Sequence, residues 1–110
     1  MKEKPKQPRT PPQMHDTIRH AILLALEQEV RSAKDLSALV RIPEKDVYGH
    51  LDHLRRSLAA NNRHLIVTPA ECRKCGFEFS KRDRLTKPGK CPRCKGESIH
   101  EPLFRIEDGR

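Results

Sequence analysis

The sequence predicts an α+β fold: three helices, then a two-stranded antiparallel wing with a four-cysteine module inserted in it. Three observations lead to it. Apolar residues recur at steps of three and four through residues 13–60. Two short β-branched runs, 64–71 and 99–106, read as strands. Between them lie all four cysteines, in two Cys-x-x-Cys pairs with fifteen residues (76–90) separating the pairs.

Composition frames the rest. The chain has 110 residues, 35% hydrophobic and 4% aromatic, with no Trp. That is thin for one packed core, so a bound metal is expected to supply folding free energy to the C-terminal half. The net charge of +8 points to an anionic partner, with nucleic acid first. No run of eighteen apolar residues offers a membrane span. The charged, proline-rich N-terminus has no apolar stretch of secretory type, so a cytoplasmic location is expected.

Residues 1–12 hold four prolines and four basic residues, which predicts a disordered basic arm. Residues 13–29 predict a helix with Ile18, Ile22, Ala25 and Leu26 on its apolar stripe. Ser32 and Asp35 read as a capping box opening a short helix over 33–40, which should bury Leu36, Leu39 and Val40. Pro43 disfavours helix at Ile42 and suits the start of a third helix over 43–60. Val47, Leu51, Leu54 and Leu58 form its stripe, and Asn61-Asn62 offers a left-handed stop. Pro69 and Pro102 are expected at edge or terminal positions of the ladder.

Helix, short helix, tight turn and longer helix is the order of a helix-turn-helix. At 100° per residue, Lys45, Gly49, Asp52, His53 and Arg56 fall opposite the third helix's apolar stripe, with Tyr48 and Arg55 on one flank. In a helix-turn-helix this face enters the major groove, so Lys45, Tyr48, Gly49, His53 and Arg56 are the expected DNA contacts. The helix itself is neutral, with Lys45, Arg55 and Arg56 against Glu44, Asp46 and Asp52. Phosphate attraction must come from elsewhere.

Each Cys-x-x-Cys pair presents two sulfurs from one tight turn, and two such turns make a tetrahedral thiolate site. Cys72, Cys75, Cys91 and Cys94 are therefore the expected ligands of one structural Zn2+. Two disulfides and a rubredoxin-type iron site are the alternatives, and Phe77 and Phe79 are the only aromatic residues nearby. Gly76 suits the positive φ that such a turn often needs. A site closed by four protein thiolates leaves no position for substrate, so no enzyme is expected. Over 72–96, nine basic residues face two acids, among them Arg73, Lys74, Arg93 and Lys95, which are expected to meet DNA. The domain expectation is an arm at 1–12, a winged helix-turn-helix with its first wing strand at 13–71, a zinc ribbon at 72–96, and the second wing strand with a tail at 97–110.

Two segments resemble known families. Val47, Tyr48, His50-Leu51 and Leu54 match the recognition-helix pattern of winged-helix repressors of the arsenical-resistance (ArsR-like) group. The cysteine pairs, with Gly76 and Cys91-Pro-Arg-Cys94, resemble zinc ribbons. Together, over residues 13–106, the chain is similar to small prokaryotic predicted transcriptional regulators in which a helix-turn-helix is fused to a zinc ribbon. The resemblance implies a DNA-binding regulator. It carries over no inducer-release mechanism, because the repressors' helix-borne cysteine sensor is absent: no Cys precedes Cys72.

The expected partner is double-stranded DNA, with a homodimer and a transcription-machinery protein as further partners. A protein- or RNA-contacting adaptor is the rival reading, since the third helix is neutral. A thiolate-based redox or metal sensor is another, since Arg73, Lys74, Arg93 and Lys95 favour thiolates.

Overall fold

The computed structural model describes residues 12–80 and 85–109, with side chains described from His15 onward. The arm expected at 1–12 lies outside the described residues, apart from Pro12, and so do Lys81, Arg82, Asp83 and Arg84. Three helices come first: α1 (Pro12–Gln28), α2 (Ala33–Val40) and α3 (Glu44–Ala60). Among the described residues there are also five short strands: β1 (Arg31–Ser32), β2 (Arg63–Thr68), β3 (Glu71–Cys72), β4 (Ile99–His100) and β5 (Leu103–Asp108). Among the described residues no helix is long and apolar enough to cross a membrane.

Local chemistry sets the helix ends. Ser32 Oγ accepts the Asp35 backbone N–H at 3.0 Å, and Asp35 Oδ2 accepts the Ser32 N–H at 3.1 Å, the expected capping box. Arg41 closes α2 in the left-handed region, φ 60°, its N–H donating to the Ser37 carbonyl. Pro43 caps α3 from outside, so that helix begins at Glu44. At the far end Asn62, not Asn61, is left-handed, with φ 58°.

The main core joins all three helices to the sheet. Ile22 and Leu26 of α1, Leu36 of α2 and the predicted stripe Val47, Leu51, Leu54 and Leu58 of α3 meet Leu65 of β2 and the fully buried Phe104 of β5. Each such side chain contributes about 1.5–3 kcal/mol of hydrophobic stabilisation. Leu39 was expected in this core and is instead 52% exposed. Helix α2 is only two turns long, and its neighbours cover the flank through Leu36 and Val40. Leu39 lies roughly 60° round from Leu36 on the other side.

The two expected strands do pair antiparallel, but each breaks in two. Strand β2 pairs with β5 from Arg63↔Asp108 to Thr68↔Leu103, and β3 pairs with β4 at Glu71↔His100 and Cys72↔Ile99. The sheet also gains a strand that the two-stranded expectation lacked. Arg31 and Ser32 pair with Phe104 and Leu103, giving the order β1-β5-β2. Arg63 fixes the sheet against α1 by ion pairs to Asp108 at 2.7 Å and Glu27 at 2.8 Å.

Candidate functional site

The cysteine module is two similar knuckles. In the first, the Cys72 carbonyl accepts the Gly76 N–H at 2.9 Å; in the second, the Cys91 carbonyl accepts the Lys95 N–H at 2.9 Å. The residue after each second cysteine turns left-handed: Gly76 at φ 81° and Lys95 at φ 65°. Gly76 therefore meets its expected role, whereas the second knuckle gives the same position to a lysine. In both pairs the first cysteine is buried and the second exposed. A small core of Ala70, Cys72, Cys91 and Ile99 supports them, covered by Phe77 and Phe79 packed edge to face at 5.0 Å.

The four sulfurs converge. All lie within 4.8 Å of one another, with Cys72 Sγ 3.5 Å from Cys94 Sγ and Cys75 Sγ 3.6 Å from Cys91 Sγ. A disulfide needs about 2.05 Å, whereas a tetrahedron of sulfurs at about 2.3 Å from a metal has edges of about 3.8 Å. The four cysteines are free thiols set for a metal, not disulfide partners.

Electrostatics agree with a cation at the centre. The backbone of Cys75 leads in lowering the Cys72 thiol to about 6, against burial, with help from Lys74 and the thiols of Cys94 and Cys75. Burial raises Cys91, but the backbones of Cys94 and Arg93 outweigh it, and the Arg93 N–H donates to Cys91 Sγ at 3.3 Å. For Cys75 the Phe77 backbone lowers the thiol, yet burial and the thiols of Cys91, Cys72 and Cys94 together raise it to about 11. Four like charges this close do not ionise together unaided; a divalent ion removes that repulsion.

Two further groups of side chains bear on partners. Along α3, Lys45, Gly49, His53 and Arg56 are all exposed, and apart from adjoining residues and the helix's own backbone no atom lies within 4 Å of a Cβ built at Gly49. Asp52, between them, pairs with Arg55 at 2.6 Å and with Arg56. Tyr48 is placed differently. It is half-buried against the main core, its hydroxyl donating to Glu44 Oε2 at 3.2 Å. Burial first, then Glu44, raises its phenol to about 12. On the knuckles Arg73, Lys74, Arg93 and Lys95 are exposed.

Sequence reasoning missed Leu85. This lone leucine of the inter-knuckle segment is only 9% exposed and belongs to the main core, not to the ribbon's own. As the single large apolar residue between Phe79 and Cys91, it was the available signal. Also unremarked was the contact of His15 with His50, ring centroids 5.7 Å apart, with Arg19 Nη1 3.5 Å from His50 Nδ1.

Comparison with known proteins covers both halves. Residues 17–66 match the PF0610-like N-terminal family, and residues 69–109 match the PF0610 rubredoxin-like zinc beta-ribbon domain. The solution structure of protein PF0610 from Pyrococcus furiosus is similar, with 31% identity and a TM-score of 0.69, over 84% of this chain and 90% of that one. No curated protein matches the chain. With the ribbon family and the sulfur geometry in accord, Cys72, Cys75, Cys91 and Cys94 hold one structural Zn2+.

Proposed function

The chain belongs to the PF0610-like family, and on that premise we propose that it is a DNA-binding transcriptional regulator of winged helix-turn-helix build. Helix α3 acts as the recognition helix, and the paired strands leading into the ribbon act as the wing. The observation that carries this is the exposed stripe Lys45, Gly49, His53 and Arg56 on α3, following the short α2 and a three-residue turn. The open space at Gly49 lets a groove wall approach the helix closely. Arg73, Lys74, Arg93 and Lys95 supply phosphate contacts that the neutral α3 lacks. Zinc shapes the knuckles that present them, and no catalytic step is assigned to it. The proposed location is the cytoplasm.

Duplex binding measured across several salt concentrations tests the reading. The double variant Lys45→Glu, Arg56→Glu should lose most affinity, and the wild type should weaken steeply with salt. Equal affinity of the two proteins would remove α3 as the recognition helix.

A second reading is an adaptor that contacts protein or RNA, such as a component of the transcription machinery. It draws support from Asp52, which occupies both α3 arginines. It predicts weak duplex binding and one reproducible partner in affinity capture. A thiolate-based sensor draws support from the exposure of Cys75 and Cys94. If peroxide releases no zinc and leaves DNA affinity unchanged, the sensor is excluded.

A further inference from the structure

In the segment joining the knuckles, residues 85–88 go with the helical core rather than with the ribbon. Leu85 enters the main core beside residues of α1, α2 and α3, and Pro88 is buried too. Tyr48 of α3 packs against the same core that Leu85 enters, and the Lys87 backbone and Glu101 act on its phenol. The ribbon's own core is complete without Leu85. Residues 85–88 thus bridge two bodies, with Cys75 tethering the segment upstream and Cys91 downstream.

The tethers matter because the segment is a poor structure by itself. Phe77 and Phe79 pack on the ribbon's own core, and beyond them one leucine side chain buries little apolar surface compared with the conformational entropy of ordering residues 80–90. Those residues are otherwise mostly charged, polar, Pro or Gly. Fixing Cys75 and Cys91 on one centre holds both ends of the segment and removes the loop-closure part of that entropy in advance. Without it, the strap has too little apolar contact to stay in place.

We infer that residues 85–88 form a metal-dependent strap on α3: with the four thiolates on zinc the strap covers Tyr48, and with the metal gone the strap lifts, exposing Tyr48 while the helices stay folded. The strap stands apart from the DNA reading. Its regulatory consequence rests on that reading: metal occupancy then decides which side chains in the first half of α3 are free to meet a groove.

The chain has one tyrosine and no tryptophan, so its intrinsic fluorescence reports on Tyr48 alone. Acrylamide quenching is measured on zinc-loaded protein, on the same protein after chelation under reducing conditions, and on zinc-loaded Leu85→Ala. Quenching should be weak in the first and rise towards that of free tyrosine in the other two. Far-ultraviolet circular dichroism should keep its helical signal throughout, and Leu85→Ala should retain one zinc per chain. Unchanged quenching after verified metal loss, or in Leu85→Ala, overturns the strap. Collapse of the helical signal in either sample, or loss of zinc from Leu85→Ala, also overturns it, because Leu85 would then be a folding residue of the whole chain. Duplex titration of the same samples separates the readings. Absence of duplex binding in every sample would remove the DNA reading while the quenching result still decides the strap.

Discussion

Pro69 and Pro102 occupy the same rung of one antiparallel register. Thr68 pairs with Leu103 before the gap and Glu71 with His100 after it, so the count is unbroken across the two prolines. Neither proline has an N–H to donate, and the ladder lapses between them. Zinc removal should therefore stop at this rung. Amide exchange measured before and after chelation should show protection lost at Cys72 and Arg73, whose N–H groups donate to the carbonyls of Phe77 and Ser98. The β2–β5 amides should stay protected. Equal loss at Leu65 and Ile106 would mean that the two ladders unfold as one.

The knuckles differ at their left-handed residue, and substitutions there should move zinc affinity in opposite directions. Gly76→Ala places a Cβ at φ 81°, a conformation that costs about 1–2 kcal/mol for an L-residue. Zinc binding should weaken by roughly tenfold. Lys95→Gly removes the same penalty from the second knuckle, and zinc should bind as tightly or more so. Competition against a chromophoric chelator measures both.

Asp52 neutralises the arginines that would otherwise be the strongest cationic groups on α3. The pairs are solvent-accessible and contribute at most about 1 kcal/mol. Asp52→Asn should leave the melting temperature nearly unchanged while raising duplex affinity. Each phosphate contact so released adds about 0.9 to the slope of log affinity against log salt. A slope identical to wild type would mean that Arg55 and Arg56 do not reach the backbone.

His50 gives the fold an acid-sensitive contact. Burial, then Arg19 and His15, holds its imidazole below the ordinary 6.5, with His53 acting in the same direction and Asp46 opposing. Folded His50 therefore binds fewer protons than unfolded His50 in that range. Its contribution is intact above 6.5 and falls as pH drops through the lowered value. Between about pH 7.5 and pH 5.5 the wild type should lose more stability than His50→Gln, measured by urea midpoint at saturating zinc. Parallel losses in the two proteins would place the acid sensitivity elsewhere.

What the sequence made legible follows from how its signals are written. Zinc ligation is local: four cysteines at fixed spacing state the chemistry, and the sulfurs converge accordingly. The helices are periodic over enough residues for Ile22, Leu26 and the α3 stripe to stand out. Strand β1 is not legible, because Arg31 and Ser32 are too few to alternate and pair with residues far along the chain. Leu39 misled because a helical stripe shows which residues align, not how much of that side a neighbour covers. The placement of Tyr48 was hidden for a related reason. Helical geometry put it on the flank of an outward face, but it packs against the main core, to which a charged loop roughly forty positions later adds Leu85.

Strand β5 sits in the middle of the sheet, yet it follows every other element in chain order. Order of synthesis and order of assembly are therefore opposed. Strands β1 and β2 emerge first and must wait, without a partner, for the segment that joins them. The sheet is made of distant contacts, which close slowly because a long chain has many ways to miss. A bridge from Cys72 to Cys94 shortens that search, since it brings Leu103 back towards Thr68 before any ladder bond forms. Nascent chains starved of zinc should then linger with the apolar edges of β2 uncovered, and the metal's first service to this protein would be to its yield.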